Sequence, residues 1–182
     1  MTFEPSDLVF RARALAQAHP LSPAASRFIN RVVGQQRVDQ PLPEIGIWAG
    51  GSLIDGYCLR RVEEEDGGAP MEGPDPVRES DADRSAELDR LEGAASAIAA
   101  DIRSGAVESG QPGSEERTIA ALDLLIAGAV ERRLDHWRDS VDEKAWAELE
   151  EYLTWWVVKG YALRVAERHM VNVPISSDGD ET

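Results

Sequence analysis

Histidine, cysteine and lysine are scarce in this chain of 182 residues, and each scarcity narrows what the protein can do. Cys58 is the single cysteine and has no Cys or His close by in sequence. It predicts neither an internal disulfide nor a thiolate zinc site, and reads as a small buried hydrophobe in a protein kept away from oxidising compartments. The three histidines are His19, His136 and His169, and three residues before them stand Ala16, Arg133 and Ala166, so the Glu-x-x-His pairs of helical di-iron proteins are missing. H-E-x-x-H is missing too. His19 and His169 fall at predicted helix ends, where an imidazole caps the helix or faces solvent. His136 has Asp139 one turn on, but a single pair does not make a metal centre. The sequence therefore predicts no metal and no cofactor.

Lys144 and Lys159 are the only lysines among 19 basic residues; with abundant alanine, this points to coding bias or a high-salt setting. No stretch approaches the roughly 20 apolar residues that span a bilayer. The first twenty residues, MTFEPSDLVFRARALAQAHP, carry an early acid and no continuous apolar core, so no signal peptide is expected and the cytoplasm is the expected location.

What the chain has in excess is acid. Asp and Glu number 34 against 19 Lys and Arg, a formal charge of -15, which repels phosphate backbones and anionic lipid headgroups. Neither nucleic acid nor a membrane is an expected partner, and the charge reads first as a solubility device. With 42% hydrophobic residues the chain can still bury a core. The expectation is one helical domain over 1–172, loops at 67–79 and 105–113, and a disordered acidic tail at 173–182.

Periodicity supplies the elements. Ser6 and Asp7 open a first helix carrying Leu8, Val9, Ala12, Leu15 and Ala16, which His19 and Pro20 end. Ser22 is an N-cap with Pro23 behind it, and Ala25, Phe28, Ile29, Val32 and Val33 form the stripe of a second helix ending before Gly34. From Pro43 to Glu65 the apolar spacing is helical, but Gly46, Gly50, Gly51 and Gly56 each cost about 1 kcal/mol in a helix interior. The spacing predicts an apolar entry segment through Ala49, helical or a short strand at Ile45 to Trp48, a break at Gly50 and Gly51, and a helix capped by Ser52 and Asp55. The flexible 67–79 segment GGAPMEGPDPVRE follows.

Leu88, Leu91, Ala95, Ile98 and Ile102 then form the seam of a helix lying lengthwise against a partner, closed by Gly105. Ser114 starts the next helix, whose IAALDLLIAGAV run is apolar on more than one face and is expected to be the most buried element. Ser140 to Glu143 is a capping box for a long last helix reaching about His169, paired as a hairpin with its predecessor through Trp137, Trp146, Leu149, Leu153 and Trp156. The fold class expected is all-α, an irregular bundle of about six helices with a long C-terminal helix.

Motifs for chemistry are few. The acidic pattern E-E-x-x-E of helical pyrophosphohydrolases fails, because Thr154 follows Glu150 and Glu151, and Ile119 follows Glu115 and Glu116, where the third acid belongs. WAGGSLIDG lacks the Gly-Lys-Ser/Thr of a phosphate loop, and Gly-Gly-Ser52 lacks the G-x-S-x-G of a nucleophile elbow. Two features stand out. Gly56-Tyr57-Cys58-Leu59-Arg60 recurs as Gly160-Tyr161-Ala162-Leu163-Arg164, each on a predicted helix and each followed soon by Val and Glu. A duplication of this kind predicts two helices related by a pseudo-twofold axis, approaching closely at the glycines. In addition, Trp155 and Trp156 lie about 100° apart on one helix and can hardly face the same core.

These readings favour a non-enzymatic interaction or self-assembling module, whose protein partner or second copy docks on the last helix through Trp155 and Trp156, with the 88–102 seam as a second surface. A helical ligand-binding or enzymatic domain with a cleft lined by Trp48, Tyr57, Arg60, Tyr161 and Arg164 is the alternative, arginine holding an anion and the aromatics an apolar moiety. A polyanion mimic that captures a basic protein is a third.

Overall fold

The computed structural model of the protein describes residues 4–18, 21–39, 43–68, 81–110, 113–137 and 142–172. They form six helices and, among the described residues, no strand: α1 (Pro5–Gln17), α2 (Pro23–Asp39), α3 (Pro43–Asp66), α4 (Asp81–Arg103), α5 (Glu115–Trp137) and α6 (Glu143–Asn172). The all-α bundle with a long C-terminal helix is the fold the periodicity predicts. Most of the 67–79 segment, the 173–182 tail, His19, Asp139 and Ser140, and the side chains of His136 and Trp137, lie outside the described residues.

Local chemistry accounts for most of the boundaries. Ser22 caps α2, its Oγ accepting the Ala25 amide at 2.9 Å. Gly105 takes the left-handed conformation, φ 96°, that ends α4. Asp142 caps α6 by accepting the Ala145 amide at 2.8 Å. In α1, Glu4 rather than Ser6 holds the N-cap position, with Pro5 at the first helical residue and Asp7 inside the first turn.

Two predicted breaks do not occur. α2 continues through Gly34 to Asp39, and α3 is one helix of 24 residues through all four of its glycines, with Ile45 to Trp48 helical and Ser52 buried in its interior rather than capping anything. Tertiary contact overrides propensity here. A Cβ on Gly46 would lie 2.8 Å from the backbone nitrogen of Arg37, and one on Gly50 2.5 Å from Val33 Cγ2, so the small residues let α2 lie directly on α3.

α3 and α6 are the central helices. α1 and α2 pack on α3, α4 and α5 pack on α6, α1 touches α5 and α2 touches α4. Exchanging the first three helices for the last three thus reproduces most of the packing, the contact of α3 with α5 being the main exception. The most buried elements are α3 and α6, not α5: residues 156–167 of α6 are all buried, whereas Ile119 and Leu124 of α5 are exposed. Leu91, Ala95 and Ile102 of the α4 seam are buried, Leu88 and Ile98 are partly buried against the same core, and the seam is used up inside the fold, where α4 packs on α6. Cys58 is fully buried, which pushes its thiol up to about 12.

Candidate functional site

The two copies of the repeated motif meet where α3 crosses α6. Contacts along the two helices advance together, from Trp48 beside Leu153 to Arg164 on Glu64, so the helices run in the same direction. At the crossing, a Cβ on Gly56 would run into the carbonyl oxygen of Val157, and one on Gly160 into that of Leu53. Each carbonyl belongs to the residue three before the other glycine. The two glycines are therefore equivalent in the packing, and only a residue without a side chain lets backbone meet backbone there.

Beyond the glycines the side chains cross over. Tyr57 donates to Glu167 Oε2 at 2.7 Å, and Tyr161 donates to Glu63 Oε2, also at 2.7 Å. The Arg164 guanidinium lies 5.8 Å from the centre of the Tyr57 ring, and that of Arg60 lies 5.6 Å from the Tyr161 ring. Glu63 and Glu167 each follow their arginine by three residues. The unit that repeats in space is Gly-Tyr-x-Leu-Arg-x-x-Glu, and its polar contacts run to the other copy's helix, to an outer helix or to the α4–α5 connection, apart from Arg164 to Glu167 and Arg60 to Glu64 within their own helices.

Each carboxylate also receives a hydroxyl from the start of an outer helix. Ser22, the cap of α2, donates to Glu167 Oε1, and Thr118, in the first turn of α5, donates to Glu63 Oε1. Glu63 further accepts the Gly110 amide at 3.0 Å. Symmetry ends at Glu64, whose counterpart in α6 is Arg168. Glu64 takes Arg164 at 2.8 and 3.0 Å and Arg60 at 3.3 Å. Arg60 also donates to the Glu108 carbonyl at 2.8 Å, on the connection between α4 and α5.

Arg60, Glu63, Glu64, Tyr57, Tyr161, Arg164 and Glu167 are all buried, so two guanidinium groups face three carboxylates away from water. Burial pushes the Tyr57 hydroxyl up to about 12, with adjacent Glu167 adding to the rise. The Tyr161 hydroxyl is pushed up further still, again chiefly by burial and then by Glu63. Both tyrosines therefore act as proton donors to their carboxylates. The arrangement holds protons in place and joins helices.

The structure thus brings four of the sequence-predicted site residues together, Tyr57, Arg60, Tyr161 and Arg164. It sets Trp48 apart, nine residues before Tyr57 and so about 13 Å back along α3. There Trp48 packs with Ala129, Val130 and Leu153, and the Arg133 guanidinium lies 5.3 Å from its ring centre. Trp156 is buried, and Trp155 is half-buried against the core with Arg103 5.9 Å from its ring centre. Sequence reasoning missed Glu63, Glu64, Glu167, Ser22 and Thr118. The signal for two of them was present, since Arg-x-x-Glu has the same spacing in both copies.

The surface offers a different feature. Arg13 of α1 lies against Gly128 of α5, over the space a side chain would fill. α1 runs against α3, Arg11 pairing with Asp66 and Arg13 interacting with Asp55. α5 also runs against α3, as Thr118 on Glu63 and Arg132 on Asp55 show. α1 and α5 are therefore parallel neighbours, and Phe10 and Leu124 each lie one turn before the Arg13–Gly128 contact. Phe10 is 76% exposed and Leu124 45%.

Fold and network together define an all-α bundle built about a doubled, buried Tyr–Glu–Arg crossing. Among the described residues no group of three or more His, Cys, Asp or Glu is placed to hold a metal ion, and no helix is long and apolar enough to cross a membrane. The chain matches no protein family, no curated protein and no solved structure.

Proposed function

We propose that the protein is an interaction module that docks on a second copy or on another protein through the α1/α5 face, with Phe10 and Leu124 at its centre. The observation that carries this reading is the exposure of these two large apolar side chains at matching positions on parallel neighbouring helices. The burial of Trp156 and the partial covering of Trp155 draw the docking surface away from the last helix. The Tyr57–Arg60–Tyr161–Arg164 centre supports the same reading, because its groups are spent on one another and on Glu63, Glu64 and Glu167. In this scheme the centre is a lock that presents a rigid surface.

Light scattering across a dilution series, together with affinity capture on the full chain, tests it. A mass rising above 19.9 kDa with concentration, or a stoichiometric protein partner, is expected, and Phe10→Asp or Leu124→Asp should abolish either one. A constant mass of one chain with nothing captured, or association untouched by both substitutions, overturns it. A second reading, a binding site for a small anion at Tyr57, Arg60, Tyr161 and Arg164, needs the anion to displace a carboxylate from the two guanidinium groups. That reading requires small anions to raise the melting temperature of the wild type and not of Arg60→Met.

A further inference from the structure

Lys159 is one of two lysines in a chain that otherwise uses arginine for positive charge, and it is buried. It stands immediately before Gly160, where the other copy of the motif has Asp55, so the repeat does not dictate it. Its Nζ lies 5.5 Å from the ring centre of Trp156, 5.6 Å from that of Trp155 and 5.7 Å from that of Phe28. On the remaining side Glu92 Oε1 lies 3.7 Å away.

Three π faces and one carboxylate around a single nitrogen is the chemistry that selects an ammonium ion over water. The surfaces come from three helices: Phe28 from α2, Glu92 from α4, and the two tryptophans from successive positions of α6. Successive residues on a helix point about 100° apart, and here that angle lets Trp155 and Trp156 form two walls of one enclosure. Glu92 is itself held by Arg31 at 2.6 Å, which also pairs with Asp89 at 2.8 Å, so the carboxylate is fixed before the lysine reaches it. Burial draws the Lys159 pKa below its ordinary value, and Glu92 opposes that shift. A guanidinium is larger and planar and fits such a closed space worse, which gives a reason for lysine at this one interior position.

We propose that Phe28, Trp155, Trp156 and Glu92 form an alkylammonium-binding site, filled in the protein as it stands by Lys159 acting as a tethered ligand. The site takes primary and methylated ammonium ions, and emptying it exposes its affinity. The test uses the full chain with Lys159→Ala and tetramethylammonium chloride as the probe, against sodium chloride at equal ionic strength.

Lys159→Ala should melt roughly 5 °C below the wild type, on the scale of a desolvated cation–π interaction in a chain of this size. Tetramethylammonium should restore part of that loss saturably, while leaving the wild type and the Trp155→Ala/Lys159→Ala double variant unmoved. If Lys159→Ala is unfolded on its own, recovery of helical circular dichroism on adding the probe is the same readout. Lys159→Met, which keeps the apolar stem and drops the charge, should also melt below the wild type. Equal melting of Lys159→Met and wild type, or a probe effect no larger on Lys159→Ala than on the wild type, overturns the proposal.

Discussion

The Tyr57 hydroxyl donates to Glu167 across 110 residues of sequence, and the same bond at the same 2.7 Å joins Tyr161 to Glu63 in the opposite sense. Both tyrosines are fully buried, so water does not replace the hydroxyl when it is removed. Tyr57→Phe and Tyr161→Phe should each cost about 2 kcal/mol, the usual consequence of leaving a buried acceptor short of a donor. Urea denaturation followed by circular dichroism measures both. Equivalence of the two positions requires similar losses, and a neutral effect at one of them would show that only the other holds the helices together.

The same hydroxyls set the response to alkali. Below about pH 10 Tyr57 keeps its proton whether the chain is folded or unfolded, because 10 is the ordinary value for tyrosine. Between there and about 12 the unfolded chain releases a proton that the folded chain retains, so the stability conferred by the raised pKa is lost as pH rises. The loss is roughly 1.4 kcal/mol per pH unit for each such group. Denaturation midpoints at pH 8, 10 and 11 should therefore fall gently at first, because the unfolded chain also releases the Cys58 proton from about pH 9, and more steeply above about pH 10, where Tyr57→Phe should shallow the fall. Absorbance at 295 nm should rise with unfolding rather than ahead of it.

Glycines should divide by sign. Gly34 in α2 and Gly93 in α4 have open space where a Cβ would stand, so Gly34→Ala and Gly93→Ala should each stabilise by about 0.5–1 kcal/mol through helix propensity. Gly56→Ala and Gly160→Ala place a methyl group on a carbonyl oxygen of the facing helix, and backbone cannot swing aside as a side chain can. Each should cost about 3 kcal/mol. Melting temperatures of the four variants check this, and a tolerated Gly56→Ala would mean that the two helices separate easily.

This division also explains what was legible in the sequence. Helix identity was, because caps such as Ser22 and stripes such as Ala25, Phe28, Ile29 and Val32 are local. The continuity of α3 was not, because a glycine that breaks a helix and one that admits a neighbouring helix look alike until the neighbour is placed. The repeat was visible as Gly-Tyr-x-Leu-Arg. Its partners were not: Glu63 opens a run of four acids that reads as a solvated face, Glu167 stands beside Arg168 near the end of a helix, and Thr118 and Ser22 reach them only through the packing of α5 and α2. The exposure of Phe10 was legible, since Phe10 stands off the stripe of Leu8, Val9, Ala12, Leu15 and Ala16 in α1.

Arg164 and Glu64 give the sharpest test of whether the crossing depends on charge. Arg164 places two nitrogens on Glu64 Oε2 and a third, at 3.4 Å, on Glu167, with both side chains of the main pair almost wholly buried. Arg164→Met leaves Glu64 buried with Arg60 at 3.3 Å as its remaining close cation, and leaves Glu167 with its two hydroxyl donors. Losing one partner of a buried pair costs about 3–5 kcal/mol, because the other charge stays desolvated. Arg164→Met/Glu64→Met removes both charges and should recover much of that loss, although Arg60 then loses a partner of its own. Urea midpoints of the two variants decide the matter. A double variant less stable than the single one by the full cost of a second charge would mean that Glu64 serves Arg60 first and Arg164 second, and that the symmetric pairs of Tyr57 with Glu167 and Tyr161 with Glu63, rather than Glu64, hold the two halves together.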